Sequence, residues 1–152
     1  MAETSADLAR ETTRALRLLA EDASDLEVIS AALQDAVARV GDIQWEAKAR
    51  RLTIAVNRFR WELAEGSSER IRAAVQLGGV LNVRARNMRP EPRDAVVQLL
   101  AITFEPGEVP GGVVTFAFAD DADLAAEVEC IDAAMADLSE PWIAAQAPEH
   151  EG

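Results

Sequence analysis

Apolar and polar positions change period several times along the chain. Residues 1–13 are polar and aperiodic, which predicts a mobile N-terminal arm. Leu16, Leu18 and Leu19 fit a short strand near residues 14–20. A helix start follows, because Ser24-Asp25-Leu26-Glu27 has the capping-box spacing of a hydroxyl and a carboxylate that satisfy exposed backbone donors. Leu26, Ile29, Leu33 and Val37 then recur three or four apart, so a helix is expected over residues 24–37, ending before Gly41.

The middle of the chain shifts to period two. Residues 43–46 and 52–61 read as a hairpin across the polar turn at 48–51, with Leu52, Ile54 and Val56 alternating against Thr53, Ala55 and Asn57. Gly66-Ser67-Ser68 marks a loop. Ile71, Ala73, Val75 and Leu77 alternate again, Gly78-Gly79 bends the strand, and residues 80–85 resume it. Residues 87–94 hold two prolines and read as a loop. Residues 96–119 read as a second hairpin around the turn 106–112.

Near the C-terminus, Leu124, Val128, Ile131, Met135 and Leu138 are spaced 4, 3, 4 and 3 apart, the stripe of an amphipathic helix ended by Pro141. The alternation of Ala126, Glu127, Val128 and Glu129 leaves a last strand over residues 124–129 open. Trp142 would fold back on the core, and residues 144–152 would form a mobile tail. The pattern predicts one α+β domain over residues 14–143. It has a curved antiparallel sheet of about seven strands, an N-terminal helix and a C-terminal amphipathic helix.

Charge refines this picture. The 15 bases and 27 acids give a net charge of −12. Residues 1–38 carry −5, residues 39–93 carry +6, and residues 94–152 carry −13 with no base at all. Overall acidity argues against nucleic acid, which needs a basic footprint. The apolar stretch at 95–104 is about half of what a membrane span requires. The N-terminus has neither the basic nor the apolar region of a secretory signal, so a cytoplasmic protein is expected. Fourteen of the 15 bases are Arg and 30 residues are Ala, a usage that suggests a GC-rich bacterial source.

The reactive residues nominate no catalytic group, no metal site and no cofactor. Cys130 is the single cysteine, and its acidic surroundings offer no cation to stabilise a thiolate, so a buried structural role is expected. His150 sits in the polar tail, where nothing would hold a general base in place. Asp120-Asp121-Ala122-Asp123 lacks the glycine that a calcium loop needs at its sixth position and reads as a turn with helix-start acids. No phosphate-cradling loop and no nucleophile elbow is present.

The arginines carry the one specific expectation. Arg58 and Arg60 share a face of one strand, Arg84 and Arg86 share a face of another, and Arg72 stands to join them. Arg89 and Arg93 extend the group from the loop. On neighbouring strands these guanidinium groups would cluster, a geometry suited to carboxylate or phosphate oxygens. The alternative is that they pair with the acidic C-terminal third of the same chain. The favoured expectation is a non-catalytic binding or interaction module for an acidic protein or a small anionic ligand. A metal-independent enzyme with a carboxylate/arginine pocket and a self-assembling homo-oligomer are the competing classes.

Four stretches, LQDAVARVGDI at 33–43, NRFRWE at 57–62, LLAITFEPGE at 99–108 and VECIDAAMADL at 128–138, resemble a small, mostly alphaproteobacterial family catalogued as a domain of unknown function. The resemblance covers residues 16–142 and implies no catalytic or binding residue. The architecture is also loosely similar to a pleckstrin-homology-like fold, a bent antiparallel sheet closed by a C-terminal helix.

Overall fold

The computed structural model describes residues 16–60 and 69–138 together with the backbone of 142–143. The expected arm at 1–13, the loop at 66–68, the stop at Pro141, the packing of Trp142 and the tail at 144–152 with His150 lie outside the described residues.

The elements are β1 (Arg17–Ala20), α1 (Ala23–Ala32), β2 (Val37–Arg39), a 3₁₀ turn (Val40–Asp42), β3 (Ile43–Glu46), β4 (Arg51–Phe59), β5 (Glu69–Leu77) and β6 (Val80–Arg86). They continue with β7 (Val96–Pro106), β8 (Gly112–Phe118), β9 (Ala122–Val128), β10 (Ala133–Asp137) and β11 (Trp142–Ile143). Eleven strands form one sheet in the order β1-β10-β5-β4-β2-β7-β8-β9-β6, with β11 added to β5 and β3 to β4. Every pairing is antiparallel.

Strand β7 is the joint between two halves of the sheet. Residues 96–98 pair with β2, the register shifts between Leu99 and Ala101, and the remainder pairs with β8. Such a bulge bends a strand and increases its twist. The inward residues of both halves meet in a single core, including Leu52, Ile54 and Val56 of β4, Val75 and Leu77 of β5, and Val114, Phe116 and Phe118 of β8. Each such side chain contributes roughly 1.5–3 kcal/mol when it leaves water.

Helix α1 joins that core through Leu26 and Ile29, and Leu33 follows at its C-terminal end. Its cap is Asp22, two residues before the predicted Ser24: the Asp22 carboxylate accepts the Asp25 N–H at 2.8 Å. The helix stops at Ala32, not Val37, because Val37 already pairs with Asn57 and Gln98 in β2. The Ser30 hydroxyl accepts the Ile102 N–H at 2.9 Å and fastens α1 to β7.

The fold-class expectation is corrected by this architecture. The chain is mostly sheet, with eleven strands instead of about seven, and one α-helix among the described residues instead of two. The expected C-terminal amphipathic helix is two separate strands, β9 beside β8 and β6 and β10 beside β1 and β5, so the pleckstrin-homology-like analogy loses its defining element. The physical reason lies in the alanines. Ala122, Leu124, Ala126 and Val128 are buried on alternate positions of β9, and Ala133 and Met135 are buried on β10. Counting only the large apolar residues hides this period of two and leaves a stripe that mimics a helix. Among the described residues no helix is long and apolar enough to cross a membrane.

Candidate functional site

The five arginines expected to share a face do not share one. Arg58 follows the inward parity of Leu52, Ile54 and Val56 on β4, so its guanidinium enters the interior. Its side chain is 0% exposed and forms a two-pronged ion pair with Asp137 of β10, Nε to Oδ1 at 2.8 Å and Nη2 to Oδ2 at 2.9 Å. Asp137 also accepts the Leu16 N–H at 2.7 Å, so this pair ties three chain segments together. Arg60 is likewise buried and meets Glu69 at 3.1 Å.

Arg72 stands on the opposite face of the sheet, because its neighbours Ile71 and Ala73 point inward. It pairs with Asp42 at 2.9 Å and donates to the Asn57 side-chain oxygen at 3.2 Å. Arg84 and Arg86 lie on β6, at the far end of the sheet order. Arg86 pairs with Asp121 and Asp123 across the β8–β9 turn. Those hydrogen bonds, Asp121 first, raise the Arg86 pKa above its ordinary value, and Arg86 holds the Asp121 carboxyl below the usual carboxylate range. Asp120 and Asp121 have positive φ (67° and 61°), which Asp tolerates better than most residues, so these acids shape a tight turn and not a helix start.

Arg84 differs from the other four. It is exposed, and among the described residues no carboxylate lies within ion-pair distance of it. The loop residue Arg89 is exposed and equally without such a carboxylate. Arg93 uses its guanidinium to donate to the Gly41 carbonyl at 3.0 Å.

These three arginines border a seam in the fold. Among the described residues, strand β6 pairs only with β9, and β3 pairs only with β4. The turn between β3 and β4 meets the start of β6, where the Val80 N–H donates to the Arg50 carbonyl at 2.9 Å. Strands β3 and β6 do not pair further along. There a cavity of about 370 Å³ is lined on one side by Val40 and Ile43 and on the other by Ala85, Met88 and Leu124. Arg89, Pro90 and Arg93 line it from the loop that leaves β6. Glu91 and Asp94 occupy the same loop but do not line the cavity, so the loop turns its bases towards it.

Two further hollows carry charged side chains. One of about 330 Å³ holds Arg39, Asp42, Asn57 and Arg72, whose charges partly cancel through the Arg72–Asp42 pair. The other, about 300 Å³, is bordered by Glu108, Glu127 and Glu129. Among the described residues no group of three or more His, Cys, Asp or Glu is placed to hold a metal ion. Cys130 is exposed in the turn between β9 and β10, contrary to the expected burial.

Sequence reasoning registered Arg89 and Arg93 only as additions to a strand cluster. The available signal was local: Met88 and Pro90 place apolar atoms between bases, an arrangement that a purely solvated loop does not need. The other wall, Val40 and Ile43, is brought there by pairing some fifty residues distant in sequence and has no local signature.

The chain belongs to the family described as protein of unknown function (DUF2948), whose match spans residues 16–150. No curated protein and no solved structure matches it.

Proposed function

We propose that this protein is a non-catalytic binding module that takes up an anionic, partly apolar ligand at the seam between β3 and β6. One observation carries the reading: an apolar cavity between two open strand edges is rimmed by Arg89, a base with no carboxylate beside it among the described residues. Small-ligand sites are concave, mostly apolar, and oriented by a few polar groups, and this cavity is at the lower end of their usual volume range. The side chains lining it are aliphatic, thioether, proline and guanidinium groups, which bind and orient better than they exchange protons. The overall charge of −12 makes a local basic rim selective, since an anion is repelled elsewhere on the surface. The free, exposed Cys130 suits a reducing compartment such as the bacterial cytoplasm.

Decanoate and its uncharged counterpart decanol test this reading by calorimetric titration. Decanoate is expected to bind more tightly. Arg89→Ala should weaken decanoate roughly ten- to a hundredfold, the worth of one charge-assisted hydrogen bond, and leave decanol unchanged. Ala85→Trp, which fills the cavity, should abolish both. Equal affinity for the two probes, or indifference to Arg89→Ala, overturns the assignment.

A further inference from the structure

The seam has a second property besides its apolar floor. Among the described residues, no backbone hydrogen bond reaches residues 81–86 of β6 from the side away from β9. That side therefore presents a row of donors and acceptors in extended geometry, the template on which another strand adds. The cavity lies directly beside it, with Ala85 and Leu124 in its lining. Alternate residues of an added strand would point to opposite faces. One set would enter the cavity. The other would lie on the outer face, where Arg84 projects beside Ala125 of β9.

Charge decides among possible occupants. A second copy pairing antiparallel through the same edge would set Arg84 against its own counterpart, and like charges opposite one another destabilise a sheet. An acidic strand meets Arg84 with the opposite sign, and Arg89 and Arg93 at the end of the seam repeat the preference. The register shift between Val80 and Asn82 and the contact of Val80 with Arg50 limit the usable edge to its later half. The occupant is accordingly short.

Resting on the seam as the binding site, we infer that its natural occupant is a short extended acidic peptide segment of alternating apolar and carboxylate residues, taken up by strand addition to β6. The apolar side chains fill the cavity, the carboxylates face Arg84 and Arg89, and the backbone completes the open edge.

The test uses the full chain and the peptide acetyl-Glu-Val-Glu-Val-Glu-amide, titrated by calorimetry beside its Lys-Val analogue. Two further versions carry N-methyl groups on the valines or on the glutamates, because only one of those two sets of N–H groups can face β6. The acidic peptide should bind at least about tenfold more tightly than the basic one, and Arg84→Glu should erase most of that difference. One N-methylated version should lose binding and the other retain it, and slowed amide exchange should appear at residues 82–86. Equal binding of the acidic and basic peptides overturns the acidic occupant. Retention of binding by both methylated versions overturns strand addition. Either result leaves the anion site standing if Arg89→Ala still weakens decanoate. If Arg89→Ala leaves decanoate unaffected, the site itself fails and the inference falls with it.

Discussion

Arg58 spends its charge inside the molecule. Neither it nor Asp137 has exposed side-chain surface, and the two-pronged geometry leaves each charge answered. A buried pair of this kind adds little net stability over apolar residues of similar size, but breaking it from one side strands a charge away from water. Asp137→Ala is therefore expected to cost about 3–5 kcal/mol in urea unfolding, and part of that loss includes the orphaned Leu16 N–H. Arg58→Met combined with Asp137→Leu should recover most of it. A double-mutant cycle measures the coupling directly, and a coupling near zero would show that the pair does not hold β1, β4 and β10 together. The same residue scale explains why the guanidinium cluster dissolves. A two-residue spacing in sequence says that Arg58 and Arg60 share a face but not which face, and here it is the inward one.

At the level of elements, the hairpins were legible because their apolar residues are large and alternate cleanly. The turn expected at 48–51 falls at 47–50 and joins β3 to β4 with Ile43 opposite Ile54, and the expected hairpin over 96–119 is β7 with β8. The N-terminal helix was legible for most of its length through Leu26, Ile29 and Leu33. β2 was not, because three residues give no period; β9 was legible only as the alternative strand over 124–129, and β10 was not, because alanine fills half of their inward positions. Small residues also carry the tightest part of the β7–β8 hairpin. A Cβ on Gly112 would collide with the Glu105 carbonyl oxygen and come within 2.6 Å of Phe104 Cζ, whereas one on Gly107 would meet its nearest atom at 3.5 Å. Gly112→Ala should thus destabilise by about 1–3 kcal/mol in thermal unfolding, while Gly107→Ala stays within about 0.5 kcal/mol of the parent. Equal effects at the two positions would mean that the hairpin end yields without cost.

For the whole molecule, the uneven charge along the sequence becomes a division of labour. The acidic C-terminal third supplies partners for Arg50, Arg58 and Arg86 through Glu129, Asp137, Asp121 and Asp123, which is the internal pairing that competed with a shared basic face. Arg84 and Arg89, which have no carboxylate within ion-pair distance among the described residues, sit where the sheet ends without closing. An open strand edge invites other chains, and charged side chains on such an edge discourage self-association. Arg84 therefore has two consequences from one position: it repels another copy of β6 and attracts a segment of opposite charge. Replacing Arg84 by Thr, a residue well suited to strands, removes the unpaired charge while keeping the edge. The substituted chain should associate in a concentration-dependent manner by light scattering where the parent does not, and added salt should move the parent in the same direction by screening its charges. If the substituted chain shows no more association than the parent, the edge is protected by shape instead of charge, and the repulsive half of the role assigned to Arg84 is lost.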